Sequence, residues 1–279
     1  MSHPLPFRQI GDFQITALSD GTMSASLDFL SGIENADAIA IQKSAGIAEP
    51  GDIHINCYLI RGQGRVILVD AGAGPLNNAG GQLIASLAVA GVSPDDVDTV
   101  LLTHCHPDHI GGLLDPEKRP VFKHAEIMLH PLEAQHWQDD EKLNMANERG
   151  QRNFRLARQT LNAYAQKLRF FNGDKIADAI LPVGLPGHTP GHTGFQIDAE
   201  DQCLFIWGDI VHYPHIQSAH PDVSILFDTD PAQAEETRKN IMEHAVSKKM
   251  LIAGMHLGQA GFASVLRAGN GYCISCSEK

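Results

Sequence analysis

The segment Asp98-Thr99-Val100-Leu101-Leu102-Thr103-His104-Cys105-His106-Pro107-Asp108-His109 decides how this chain is read. The apolar run from Val97 to Leu102 predicts a strand. Four metal-ligating side chains, His104, His106, Asp108 and His109, follow it within six positions. Alternate residues of an extended segment share a side, so His104 and His106 project together. Pro107 then turns the chain, and Asp108 and His109 enter a helix or turn. One short segment thus offers two ligand pairs in different directions, which suits two adjacent metals better than one.

Further acidic and histidine residues stand in the same context on either side of this segment. Asp70 ends the apolar run Val66 to Val69, His192 follows the run ending at Leu185, Asp209 follows Cys203 to Trp207, and His256 follows Met250 to Met255. Functional groups at strand ends, in loops along one rim, are how α/β folds assemble sites. Asp70 reads as a residue orienting a ligand histidine through its second ring nitrogen. His188, in Gly187-His188-Thr189-Pro190-Gly191-His192, reads as a structural hydrogen-bonding residue, and His192 as the ligand.

Other strands are expected at Phe13 to Leu18, Ile53 to Ile60, Ala125 to Leu129, Ile180 to Leu185 and Phe195 to Ile197. Arg61-Gly62-Gln63-Gly64 predicts a hairpin turn between Ile53–Ile60 and Val66–Val69. Helices are predicted over Gln82 to Ala90, Pro131 to Ala146, Phe154 to Leu168, and from Asp230-Pro231 to about Val246, with Asp230 as N-cap. Strands mixed with helices throughout give an α/β class with mixed sheets. No linker divides the chain, so residues 1–279 read as a single domain.

The 279 residues carry a formal charge of −12, which gives no general footprint for a phosphate backbone and argues against nucleic acid as a partner. No apolar run approaches the ~18 residues of a membrane span, and the start lacks the pattern of a secretory leader. A soluble, cytoplasmic protein is the expectation. The five cysteines are too scattered for a disulfide framework, and Cys273 and Cys276 read as ordinary thiols.

Taken together, Leu68-Val69-Asp70-Ala71-Gly72, Thr103 to His109, Gly187 to His192, Gly208-Asp209 and His256 resemble the metallo-β-lactamase superfamily. The stretches Gly11 to Thr22 and His220 to Asp230 are similar to the methyl parathion hydrolase branch, a neighbour of the N-acyl homoserine lactonases. The resemblance implies a four-layer αβ/βα sandwich with the metal site at one edge of its two sheets, two metals per chain, and a homodimer. It also implies that His104, His106 and His192 hold one metal, that Asp108, His109 and His256 hold the other, and that Asp209 bridges them. Such nitrogen- and oxygen-rich ligation suits Zn²⁺, with Mn²⁺, Co²⁺ and Fe²⁺ as alternatives.

A metal pair lowers the pKa of bound water and polarises a carbonyl or phosphoryl oxygen. The implied reaction is attack of a bridging hydroxide on a small neutral lactone, ester or phosphotriester, with Asp108 and Asp209 at the reacting centre and Asp209 also carrying a proton to the leaving group. Trp137 matches a pocket aromatic of the methyl parathion hydrolases. His212 stands where the lactonases carry Tyr, and Asn77-Asn78 stand where a pocket aromatic is expected. These departures make the pocket more polar and favour lactones or esters over phosphotriesters. An iron-dependent sulfur dioxygenase of the same superfamily is the alternative enzyme class, and organophosphate hydrolysis as the main activity is another.

Overall fold

The computed structural model describes residues 5–75, 79–199 and 202–276. Asn77 and Asn78 lie outside the described residues. Two sheets face each other. The first runs in the order Phe7–Ile10, Phe13–Ser24, Asp52–Gly62, Arg65–Val69, Thr99–Leu101, Glu126–Leu129, Leu168–Phe170. Its first four strands pair antiparallel and the rest parallel. The second runs Gly271–Ser275, Phe262–Ala268, Leu251–Ala253, Gln202–Ile206, Thr193–Ala199, Ile180–Gly184, with one parallel pair at its centre.

Alternation along the strands builds the layers. In Asp52–Gly62, Tyr58 and Ile60 enter the core between the sheets and meet Phe195, Ile206 and Phe262. Cys57 and Leu59 face the other way, into a core shared with Leu83, Leu87, Phe154 and Leu161 of the covering helices. On the far side Phe205 and Ile252 pack against Met242 and Ala245 of helix Pro231–Lys248. The order is helix, sheet, sheet, helix, the αβ/βα sandwich. Among the described residues no helix is long and apolar enough to cross a membrane.

Two predicted helices differ in their bounds. Pro131 to Ala146 is two helices, Pro131–Gln138 and Asp140–Met145. The break is at Asp139, which takes extended backbone and caps the second helix by accepting N–H bonds from Glu141 and Lys142. Phe154 to Leu168 is the later part of helix Glu148–Ala163, capped by Asn147, and Leu168 already belongs to a strand.

One buried carboxylate ties the first sheet to the loop that carries Asp70. Asp20 accepts backbone N–H bonds from Ala73 at 2.8 Å, Gly81 at 3.0 Å and Leu83 at 2.8 Å. Gly72 and Gly80 make room for it, since a Cβ at either would lie 2.4 Å and 2.2 Å from the Asp20 carboxylate. Asp20→Ala strands three donors, two of them fully buried, at about 1–3 kcal/mol each. The variant is expected to lose about 3 kcal/mol or more of stability in urea denaturation, whereas an exposed change such as Glu117→Ala leaves the midpoint in place.

Candidate metal centre

Strand ends from both sheets converge on one edge of the sandwich. His104 is the third residue beyond Thr99–Leu101, Asp209 the third beyond Gln202–Ile206, and His256 the third beyond Leu251–Ala253. Asp70 directly follows Arg65–Val69. The parallel pairings Ile67↔Thr99 and Leu204↔Leu251 bring these ends to the same side within each sheet. His106 sits in extended backbone just before the short helix Pro107–Ile110, with Pro107 at its first position, so Asp108 and His109 leave the chain in a new direction.

Three groups of ligand atoms gather here: His104, His106 and His188; Asp108, His109, Asp209 and His256; and His188, Asp209 and His212. In the first, His104 Nε2 and His188 Nε2 each lie 2.9 Å from His106 Nδ1, and 3.2 Å from each other. Asp209 Oδ2 joins the groups. It lies 3.2 Å from His109 Nε2, 3.4 Å from His188 Nε2, 3.3 Å from His256 Nε2 and 3.2 Å from His212 Nε2.

Three of the rings, those of His109, His188 and His256, are held by their other nitrogen. Asp70 Oδ2 accepts from His109 Nδ1 at 2.6 Å, while Asp70 also accepts from the Thr103 backbone and hydroxyl. Asp228 Oδ1 accepts from His188 Nδ1 at 2.8 Å. The His54 carbonyl accepts from His256 Nδ1 at 2.7 Å. These bonds leave the Nε2 atoms of His109, His188 and His256 turned toward Asp209, the arrangement that metal-binding histidines use.

The exchange of His188 for His192 corrects the sequence expectation. His192 Nδ1 donates to the Leu185 carbonyl at 2.9 Å, and its Nε2 accepts the Asp209 backbone N–H at 3.0 Å. Both nitrogens are therefore occupied. Burial lowers the ring to about 3, so it stays a neutral acceptor. His192 directly precedes strand Thr193–Ala199, which fixes its ring under the Gly208 turn. A Cβ on Gly208 would lie 2.3 Å from His192 Nε2. His188, four residues earlier in the loop, reaches the imidazole group instead.

Glu133 and Asp228 are functional supports that sequence reasoning missed. Glu133 is fully buried and accepts from the Cys105 and Gly191 backbones, the Thr189 hydroxyl and the Trp137 indole. It ties both histidine loops together. Trp137 is a core residue and also a wall beside His106, at 5.6 Å between ring centres. His212 stacks on His256 at 5.2 Å and lines the cavity above Asp108 and Asp209, about 340 Å³ in volume.

The donor set fits a pair of divalent cations. Burial holds His104 and His106 well below the usual imidazole range, in the neutral form that ligates. Burial favours the neutral form of Asp209, but the His109 and His256 imidazoles outweigh it and hold the carboxyl well below its usual range. Burial likewise works against a charged His109, yet Asp209, Asp108 and Asp70 push its proton affinity well up. The field that holds a proton there also attracts a metal ion. Among the described residues His109 Nε2 and Asp209 Oδ1 are buried without a hydrogen-bond partner.

The sequence model of the family described as "Metallo-beta-lactamase superfamily" matches residues 50–244. Among solved structures, "hydrolase AbOPH in beta lactamase superfamily" is 28% identical, with a TM-score of 0.90 and 98% of each chain covered. "AidC, a Dizinc Quorum-Quenching Lactonase", solved with the product N-hexanoyl-L-homoserine, is 27% identical with a TM-score of 0.92, covering 99% of this chain and 98% of that one. "Uncharacterized protein YobT" of Bacillus subtilis is 28% identical over 146 residues, 52% of this chain and 58% of that protein. "Metallo-beta-lactamase domain-containing protein 1" of Mus musculus is 42% identical over 86 residues, 30% of this chain and 32% of that protein. The match thus spans less than two thirds of either curated relative.

Metal analysis after dialysis tests the exchange of histidines. His188→Ala is expected to lose more bound divalent metal than His192→Ala. Asp228→Asn, which removes the carboxylate charge beside His188 Nδ1 and Arg238, is expected to weaken metal affinity about 10–100-fold. The reverse order for the two histidine variants would restore His192 as the ligand.

Proposed function

The chain belongs to the metallo-β-lactamase superfamily, and on that footing we propose that it is a dinuclear metal-dependent hydrolase that opens lactones or esters. The observation that carries the reading is the position of Asp209 Oδ2, shared between the His104, His106, His188 group and the Asp108, His109, His256 group. His104, His106 and His188 would hold one ion, and Asp108, His109 and His256 the other, with Asp209 between. When bound, the ions supply Lewis acidity and an activated water, with Zn²⁺ the best match to the donor set. Similarity to a dizinc lactonase over nearly the whole chain supports the same class.

The side chains divide the remaining work. Asp209 Oδ1 has no hydrogen-bond partner among the described residues and is the atom assigned to carry a proton from the incoming water to the departing alkoxide. His212 Nε2 lies 3.2 Å from Asp209 Oδ2 and its ring, stacked on His256, helps keep the carboxylate in place. Met23, Pro107, Leu156 and Phe227 give the cavity its apolar wall. A second cavity of about 570 Å³ shares His106, Arg149, Asn153 and Phe227 with the first and offers room for an acyl chain beside Trp137 and Phe154. The balance is simple. One water oxygen bonds the acyl carbon, the acyl–oxygen bond breaks, one proton goes to the alcohol and the other to solvent, leaving a hydroxy-carboxylate.

A one-iron sulfur dioxygenase would leave the Asp108, His109, Asp209, His256 group without purpose, so that reading is set aside. Phosphotriester hydrolysis remains a secondary activity of the proposal.

A panel of N-acyl homoserine lactones, aryl acetates and a methyl phosphotriester tests it with metal-replete protein. Lactone or ester turnover is expected to vanish on chelation and return with Zn²⁺. Asp209→Asn and His106→Ala are expected to lower kcat/KM about 100-fold or more. One iron per chain with oxygen uptake, or turnover that survives both substitutions, would overturn the assignment.

A further inference from the structure

Helix Glu148–Ala163 carries four arginines, and they divide into two pairs by their surroundings. Arg155 donates to Gln151, and Arg158 bonds Asp140 and the Trp137 carbonyl. Arg149 and Arg152 face the metal-site cavity. Together with Asn153 and Leu156 they occupy one helix face and line the same space as Asp108, Asp209 and His212. Among the described residues neither Arg149 nor Arg152 has a hydrogen bond or an ion pair. Arg149 instead lies over the Phe227 ring at 4.0 Å, with Phe29 behind it at 5.9 Å, and is attracted across the cavity by Asp108.

That placement is unusual for this chain. The formal charge is −12, so the overall field repels anions. Two cations in the first turns of a helix also run against its dipole, so local helix stability does not call for them. Aromatic packing under Arg149 fixes its plane while leaving its N–H edges unused. A planar guanidinium with free N–H groups is suited to a carboxylate.

We propose that the preferred substrates are lactones or esters bearing a remote carboxylate, held at the cavity mouth by Arg149 and Arg152 while the neutral acyl–oxygen bond lies at Asp209. This inference rests on the hydrolase reading and adds the charge of the substrate to it. The carboxylate tail would lie along the wall formed by Phe227 and Leu156, and Asn153, on the same helix face, would offer a further hydrogen-bonding group.

N-glutaryl homoserine lactone and its side-chain primary carboxamide share one scissile acyl–oxygen bond and differ in one remote charge. Wild-type, metal-replete protein is expected to favour the acid by about tenfold or more in kcat/KM, mainly through KM. Added salt is expected to compress that ratio. The double variant Arg149→Gln, Arg152→Gln is expected to bring the ratio near one, and Arg155→Gln to keep it. Equal or better turnover of the carboxamide by wild type, or a preference that survives the double variant, would overturn the proposal.

Binding measured by calorimetry separates this result from failure of the hydrolase reading. N-glutaryl cyclopentylamine and its side-chain primary carboxamide have no lactone or ester to open. The acid is expected to bind metal-replete wild type more tightly than its carboxamide, and to lose that advantage in the double variant. If both lactones resist hydrolysis but this difference appears, the lactonase reading fails and the anion site stands. If the acid binds no better, or its advantage persists without the two arginines because the carboxylate has gone to the metals, the anion site is wrong.

Discussion

One oxygen atom sets the terms for the rest of the molecule. Asp209 Oδ2 lies within 3.2–3.7 Å of the Nε2 atoms of His104, His109, His188, His212 and His256, with almost no exposure to solvent. Neutral imidazoles packed this closely leave lone pairs facing lone pairs, and charged ones repel each other. A buried cluster of this kind is stable only with positive charge at its centre, and removing charge from it is costly. Because Asp209 and His256 extend from the second sheet and His104 to His109 from the first, a cation held there would also tie the two sheets together at the edge.

The supports around the cluster explain why the edge is so heavily hydrogen-bonded. Glu133 accepts four bonds and joins the loop at Cys105 to the loop at Thr189 and Gly191. Gly191 is small for the same reason, since a Cβ there would lie 2.4 Å from the Glu133 backbone nitrogen. Asp228 receives His188 and also faces the Arg238 guanidinium at 3.7 Å. Arg238 in turn donates to the carbonyls of Ile210, Pro221 and Val223. The rings of His109 and His188 are thus aimed by carboxylates that are themselves held, Asp70 by the Thr103 backbone and hydroxyl and Asp228 by the Ile225 N–H and Arg238.

Much of this was legible in the sequence because it is local. A strand followed by His104, His106, Asp108 and His109 constrains direction within a few residues, and the apolar runs marked most strands. The αβ/βα sandwich followed from the motif order. The choice between His188 and His192 was not legible, because both lie in one turn-rich loop after one strand. It turns on contact with Gly208 and the Asp209 N–H, which lie in a different loop from His188 and His192. Glu133 and Asp228 looked like ordinary helix and loop carboxylates, and only the loops that close on them give them purpose. The hairpin Phe262–Ala268 with Gly271–Ser275 escaped notice because Arg267, Ala268 and Cys273 are exposed and blur its alternation.

Chemistry and selectivity come from separate parts of this fold. The ligand atoms stand on strand ends and short turns packed on both sheets, where a shift of any one would disturb several buried bonds. The wall of the cleft belongs largely to helix Glu148–Ala163 and the segment around Phe227, whose cavity-facing side chains touch the cluster without holding it. Arg149, Arg152 and Asn153 can therefore change in charge or size at little cost to the metal centre. A rigid centre bordered by an adjustable helix face gives this architecture a physical route to new substrates with the same hydrolytic step.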